Sequence, residues 1–78
     1  MTTDINPSTM LPFFNPDYQV PTSDDIRSLL KSQGWTGARA AVIVGVDSRT
    51  IRRWTGAESP IPYSCWRLLL INAGLADR

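Results

Sequence analysis

Apolar residues recur at helical spacing in the part of the chain that follows residue 21. The first such stripe consists of Ile26, Leu29 and Leu30. Residues at positions i, i+3 and i+4 lie on one face of a helix, so the stripe predicts a helix with one buried side. We expect this helix to start after Thr22 or Ser23, either of which can cap it, and to end at Gly34.

Three further helices are predicted from polar caps and glycine stops. Thr36 and Asp47 suit the N-caps of the second and third helices, and a glycine follows each helix. Pro62 suits the first turn of the fourth helix. The predicted spans are Gly37–Val44, Ser48 to about Thr55, and Tyr63 to about Ala73. The predicted fold class is therefore all-α, a small four-helix domain over residues 22–78.

Residues 1–21 form a separate segment, which we call the N-terminal arm. Its four prolines are spaced too closely for a helix, so we predict an extended arm that is mobile to about Thr9. The arm is nevertheless rich in apolar residues between positions 10 and 18. Two interpretations stay open: the arm packs on its own domain, or it crosses to a second subunit.

The second and third predicted helices meet the requirements of a helix-turn-helix. Ala41 supplies a small side chain where two closely packed helices would touch. Gly45 tolerates the positive φ that the first residue of a tight turn adopts, and Val46 places an apolar side chain toward the core. Ile51 and Trp54 are three residues apart, so both face inward from the third helix.

The opposite side of the third helix is basic. Ser48 and Arg52 are four residues apart, as are Arg49 and Arg53, and we call these four residues the arginine face. Arginine donates two hydrogen bonds to guanine in the major groove, which is the commonest specific base contact. The arginine face therefore predicts base contacts by its four members. The alternative is a face that is only solvated.

Charge is concentrated in this part of the chain although the net charge is only +1. The arm holds two acidic residues and no basic one. Residues 22–78 hold all eight Lys and Arg against five acidic residues, a net of 8 − 5 = +3. This uneven distribution favours a nucleic-acid partner for the helical part.

The residue types exclude several function classes. Cys65 is the only cysteine and histidine is absent, so we expect no disulfide, no metal site and no activated thiol nucleophile. No glycine loop of the phosphate-binding kind is present, so we expect neither enzymatic activity nor a cofactor. No apolar run approaches the roughly 20 residues of a membrane span, and no secretory signal is visible. These features predict a soluble, cytoplasmic protein without membrane contact.

The fourth predicted helix is apolar on nearly all sides, which is more than one packed face requires. A chain of 78 residues forms a marginal core, and oligomerisation is a common way to stabilise one. We therefore expect Tyr63, Leu68, Ile71 and Leu75 to form a homodimer interface. The alternative is that the N-terminal arm covers this surface.

Several stretches of the sequence resemble a known family. They are GWTG at residues 34–37, VDSRTIRRWTG at residues 46–56, and IPY at residues 61–63 with Trp66. They are similar to KorC-type repressors of plasmid regulatory circuits, within the lambda-repressor/Cro class of helix-turn-helix proteins. The resemblance covers about residues 22–75. It implies a bacterial, DNA-associated repressor that binds an inverted-repeat operator as a homodimer.

The resemblance also implies roles for single residues. Base contacts in the class correspond here to Ser48, Arg49 and Arg53, with Arg52 beside them. The phosphate contacts of the class correspond to Thr36 and Gly37, where free amides and the helix dipole favour an anion.

We expect Arg39 and Thr50 to contact phosphates as well. The residues that depart from the class pattern are Gly37, Val42 and Ile43.

A protein-interaction module is the alternative function. It would use the same helical pair without specific DNA binding, and its arginine face would meet an acidic protein surface.

Overall fold

A computed structural model describes residues 5–76, and these residues contain four α-helices and no strand. The helices are α1 (Ser23–Gln33), α2 (Gly37–Val44), α3 (Ser48–Thr55) and α4 (Tyr63–Asn72). All four predicted helices are confirmed, with α4 ending one residue earlier than expected. Pro62 is the N-cap of α4 and does not lie in its first turn.

The start of α1 is fixed by reciprocal hydrogen bonds between Thr22 and Asp25. The Thr22 hydroxyl accepts a hydrogen bond from the Asp25 amide, and the Asp25 carboxylate accepts one from the Thr22 amide at 2.9 Å. The same buried carboxylate also accepts a hydrogen bond from the Asn6 amide at 3.1 Å. Thr22 therefore caps α1, and Asp25 both completes this capping box and attaches the N-terminal arm to the helix.

The core receives buried side chains from all four helices. Leu29 of α1 and Trp66, Leu69 and Leu70 of α4 are fully buried. Ile51 reaches the same core from α3, which packs on both α1 and α2. Burial of side chains of this size contributes about 1.5–3 kcal/mol each, so these residues are the main source of stability.

The N-terminal arm is not simply extended. Pro7–Met10 form a single turn of 3-10 helix, which corrects the prediction that proline spacing excludes any helix. A proline at the first helical position is tolerated because its missing N–H would have no partner there. Ile5 and Thr9 are buried, so the predicted mobility as far as Thr9 is wrong for residues 5–9. The rest of that prediction, residues 1–4, lies outside the described residues.

Hydrogen bonds from α4 also attach the arm to its own domain. The Trp66 indole N–H donates to the carbonyl of Thr9 at 3.1 Å, inside the core. The Arg67 guanidinium donates to the carbonyl of Met10 at 2.7 Å. The structure therefore shows the arm in contact with its own domain.

An aromatic cluster joins the arm to the start of α4. The ring of Phe13 lies 5.2 Å from that of Tyr63 and 5.7 Å from that of Tyr18. Tyr18 and Tyr63 meet edge to face at 5.4 Å. Burial raises the pKa of Tyr18, and the neighbouring Tyr63 adds to the effect. The arm thus covers Tyr63 at the N-terminal end of α4, but it does not cover Leu68 or Leu75, as the alternative for this surface required.

Candidate nucleic-acid interface

A three-residue connection joins α2 to α3. Gly45 adopts a left-handed conformation with φ of 77°, which suits glycine and strains other residues. The amides of Gly45 and Val46 both donate to the carbonyl of Ala41, at 2.8 and 3.0 Å. Asp47 then caps α3. The predicted roles of Gly45 and Asp47 are confirmed, and Val46 packs partly buried against the core.

Small side chains on α2 allow α3 to approach closely. Ala40 and Ala41 of α2 are buried in the core. Gly37 faces α3, and a Cβ added there would make an ordinary van der Waals contact with the Cγ2 atom of Ile51 at 3.7 Å. Ile51 and Trp54 are buried, as their spacing predicts. The inner face of α3 is therefore fixed, and its orientation determines what the outer face presents.

The arginine face is exposed as a unit. Ser48, Arg49, Arg52 and Arg53 all lie on the solvent side of α3. Within residues 5–76, none of the three guanidinium groups makes a hydrogen bond or an ion pair. Arg27 differs, since its guanidinium pairs with Asp24 and donates to the carbonyl of Thr55 at 2.6 Å. The structure thus brings the four predicted base-contacting residues together and leaves their polar groups available.

A carboxylate lies at the N-terminal end of this face. One oxygen of Asp47 accepts hydrogen bonds from both the amide and the hydroxyl of Thr50, each at 2.8 Å. These bonds hold the pKa of Asp47 below its usual range, and the charges of Arg49 and Arg53 lower it further. The carboxylate therefore stays ionised at neutral pH.

The residues predicted to contact phosphates lie at the starts of α2 and α3. The Thr36 hydroxyl accepts a hydrogen bond from the Arg39 amide at 3.1 Å, which confirms Thr36 as the cap of α2. Thr36 and Arg39 are exposed, and Gly37 is half-buried. Thr50 is half-buried, and its hydroxyl already donates to Asp47.

Comparison with curated proteins identifies two relatives from Escherichia coli, both named transcriptional repressor protein KorC. They are 45% and 47% identical to this chain over 58 residues, a span that covers 70% of this chain and 68% of each relative. The chain belongs to the KorC family of transcriptional repressors. Repressors of this kind are not enzymes. No family model and no solved structure matches the chain.

The residues predicted to form a dimer interface in this KorC family member differ in exposure. Tyr63 belongs to the aromatic cluster, and Ile71 is half-buried. Leu68 and Leu75 are 41% and 37% exposed. The arm therefore accounts for Tyr63, whereas Leu68 on α4 and Leu75 just after it remain exposed.

Other chemistry is sparse in the described part of this KorC family member. Residues 5–76 contain no group of three His, Cys, Asp or Glu side chains that could hold a metal ion. The free thiol of Cys65 is half-buried beside the core. No helix among these residues is long and apolar enough to cross a membrane.

The contact of Arg27 with the last residue of α3 was not anticipated from the sequence. The i, i+3 spacing of Asp24 and Arg27 predicts their ion pair. No local pattern predicts the contact between Arg27 and Thr55, which are 28 positions apart.

Proposed function

We propose that this protein is a sequence-specific DNA-binding repressor in which α2 and α3 form a helix-turn-helix of the lambda-repressor/Cro class. The observation that carries the proposal is the arginine face, whose three unpaired guanidinium groups lie opposite the buried Ile51 and Trp54. Arg27 differs, because its guanidinium already contacts Asp24 and the carbonyl of Thr55. Unpaired arginines on a rigid helix suit the edges of bases in the major groove.

In this proposal α3 enters the major groove of double-stranded DNA. Ser48, Arg49, Arg52 and Arg53 contact bases. The start of α2 approaches the phosphate backbone, where Thr36, the Gly37 amide and Arg39 bind phosphate oxygens.

Thr50 is a weaker phosphate ligand than these residues. Its hydroxyl must first leave Asp47, to which it donates in the free protein.

The operator in this proposal is an inverted repeat bound by a homodimer. Leu68 and Leu75 are exposed apolar residues on or just after α4, and Ile71 is half-buried between them, so this side of α4 is available to a second copy. A two-fold symmetric dimer would place its two α3 helices about 34 Å apart, one turn of DNA.

The test is selection of bound duplexes from a random DNA pool, followed by titration of the selected and a random duplex at two salt concentrations. We expect a selected consensus with inverted symmetry and a large affinity ratio over random DNA at both salt concentrations. Lys31→Ala is a matched control, because Lys31 is an exposed cation on α1 and lies outside the arginine face. It should leave the selected consensus unchanged.

A pool that yields no consensus would contradict the proposal. It would favour instead a protein-interaction module whose arginine face binds an acidic protein surface.

A further inference from the structure

Asp47 has a free carboxylate oxygen at the leading end of the arginine face. Its other oxygen accepts both hydrogen bonds from Thr50, which is all that capping α3 requires. Among residues 5–76 no donor reaches the second oxygen. The side chain is exposed, as are the neighbouring Ser48 and Arg49.

The negative charge of Asp47 is unfavourable next to DNA of any sequence, since every duplex presents phosphates. Capping alone does not need this charge, because asparagine and serine cap helices about as well as aspartate. A carboxylate at a DNA interface gains a specific contact only where a base donates a hydrogen bond to it. In the major groove the donor suited to it is the amino group of cytosine.

We propose that Asp47 is a specificity-determining residue, whose free oxygen accepts a hydrogen bond from a cytosine amino group and whose charge weakens binding to DNA without that cytosine. This inference rests on the proposed function, because it requires α3 in the major groove. It assigns opposite effects on DNA binding to Asp47 and to the arginine face beside it. The arginines strengthen binding to any DNA, and Asp47 weakens binding to DNA that lacks the cytosine.

The test compares Asp47→Asn with the wild type on the selected operator, on each single-base variant of it, and on random duplex. Asparagine keeps the cap and removes the charge. We expect affinity for random duplex to rise about threefold, because a repulsive charge is lost. We expect the preference for cytosine to fall at least about fivefold at one base pair of each half-site and to persist elsewhere.

Asp17→Asn is the matched control. It changes the net charge by the same amount at an exposed position of the N-terminal arm. It should leave the base preferences of the wild type unchanged at every position. Asp47→Ser is a second variant that keeps a capping oxygen, and its melting temperature shows whether a lost cap contributes.

If both Asp47 variants keep the wild-type preference at every base pair, Asp47 is only a cap and this inference is wrong, although the proposed function stands. If the wild type itself prefers no sequence, the proposed function fails first and this inference fails with it.

Discussion

The three arginines of α3 differ from Arg27 in their hydrogen bonds and ion pairs. Arg49, Arg52 and Arg53 have no hydrogen-bonding or ion-pairing partner within residues 5–76, whereas Arg27 has two. Replacing one of them therefore removes no such contact within residues 5–76, and even an exposed ion pair contributes little to stability. Replacing an arginine of this face should therefore change DNA binding far more than it changes folding.

Arg49→Ala and Arg53→Ala separate base contact from simple charge. If either arginine binds a guanine, its loss should cost about 1–3 kcal/mol and relax the preference at that base pair alone. If it only neutralises a phosphate, affinity should fall evenly on all sequences and the salt slope should drop by about 0.9. The measurement is affinity for the operator and for each single-base variant.

Arginine-to-lysine changes provide the control for this prediction. Lysine keeps the charge but loses the planar, two-pronged donor. We expect Arg49→Lys to lose the base preference and Arg39→Lys to be tolerated. Unchanged preference profiles in both alanine variants would show that bases are read by another surface.

At the scale of the element, the start of α2 combines a cap with a candidate phosphate site. Thr36→Ala removes the hydroxyl that accepts from the Arg39 amide, so it should destabilise the protein by about 1 kcal/mol. It should also weaken binding to all DNA sequences alike, because phosphates carry no base identity. Thermal unfolding and affinities for operator and random duplex measure the two effects.

Thr55→Ala is the comparison for this variant. It removes a threonine hydroxyl at the C-terminal end of α3, where the hydroxyl donates to the carbonyl of Arg52 and caps no amide. Its effect on stability should be smaller. An unchanged melting temperature together with unchanged affinity in Thr36→Ala would exclude both roles.

The helices and their ends follow from the sequence because their causes are local. The caps Thr36 and Asp47 act on amides three residues away, and the left-handed turn at Gly45 needs only the absence of a Cβ. The arginine face could be predicted for the same reason. Helical spacing alone places its members on one side of α3.

The position of the arm could not be predicted in the same way. Its attachment depends on hydrogen bonds from Trp66 and Arg67 to carbonyls 57 residues earlier in the chain. No local pattern encodes such a pairing. Proline spacing indicated an extended segment, but it could not show that Pro7 would begin a turn whose next residues fit the core.

In the whole molecule, exposed apolar residues remain on α4 and just after it. The aromatic cluster places the arm over Tyr63, and Leu68 and Leu75 remain exposed. We expect a dimer at micromolar concentration, and Leu68→Ser should shift it toward monomer by placing a polar group in the contact. Sedimentation velocity measures both states.

Val42→Ser is the matched control for the dimer, because Val42 is an apolar residue of α2 that is 73% exposed. It should leave the sedimentation coefficient unchanged. A wild-type protein that sediments as a monomer with and without DNA would show that α4 is not an interface.

The hydrogen bond between Trp66 and Thr9 also bears on when the protein can fold during its synthesis. Thr9 leaves the ribosome early, but its carbonyl cannot meet the Trp66 indole until the chain has been made at least through Trp66. The segment that could read DNA is complete before the core that holds it in place. Long-range pairing of this kind delays folding until the later partner arrives. We therefore expect α2 and α3 to be held in place only after α4 has been made.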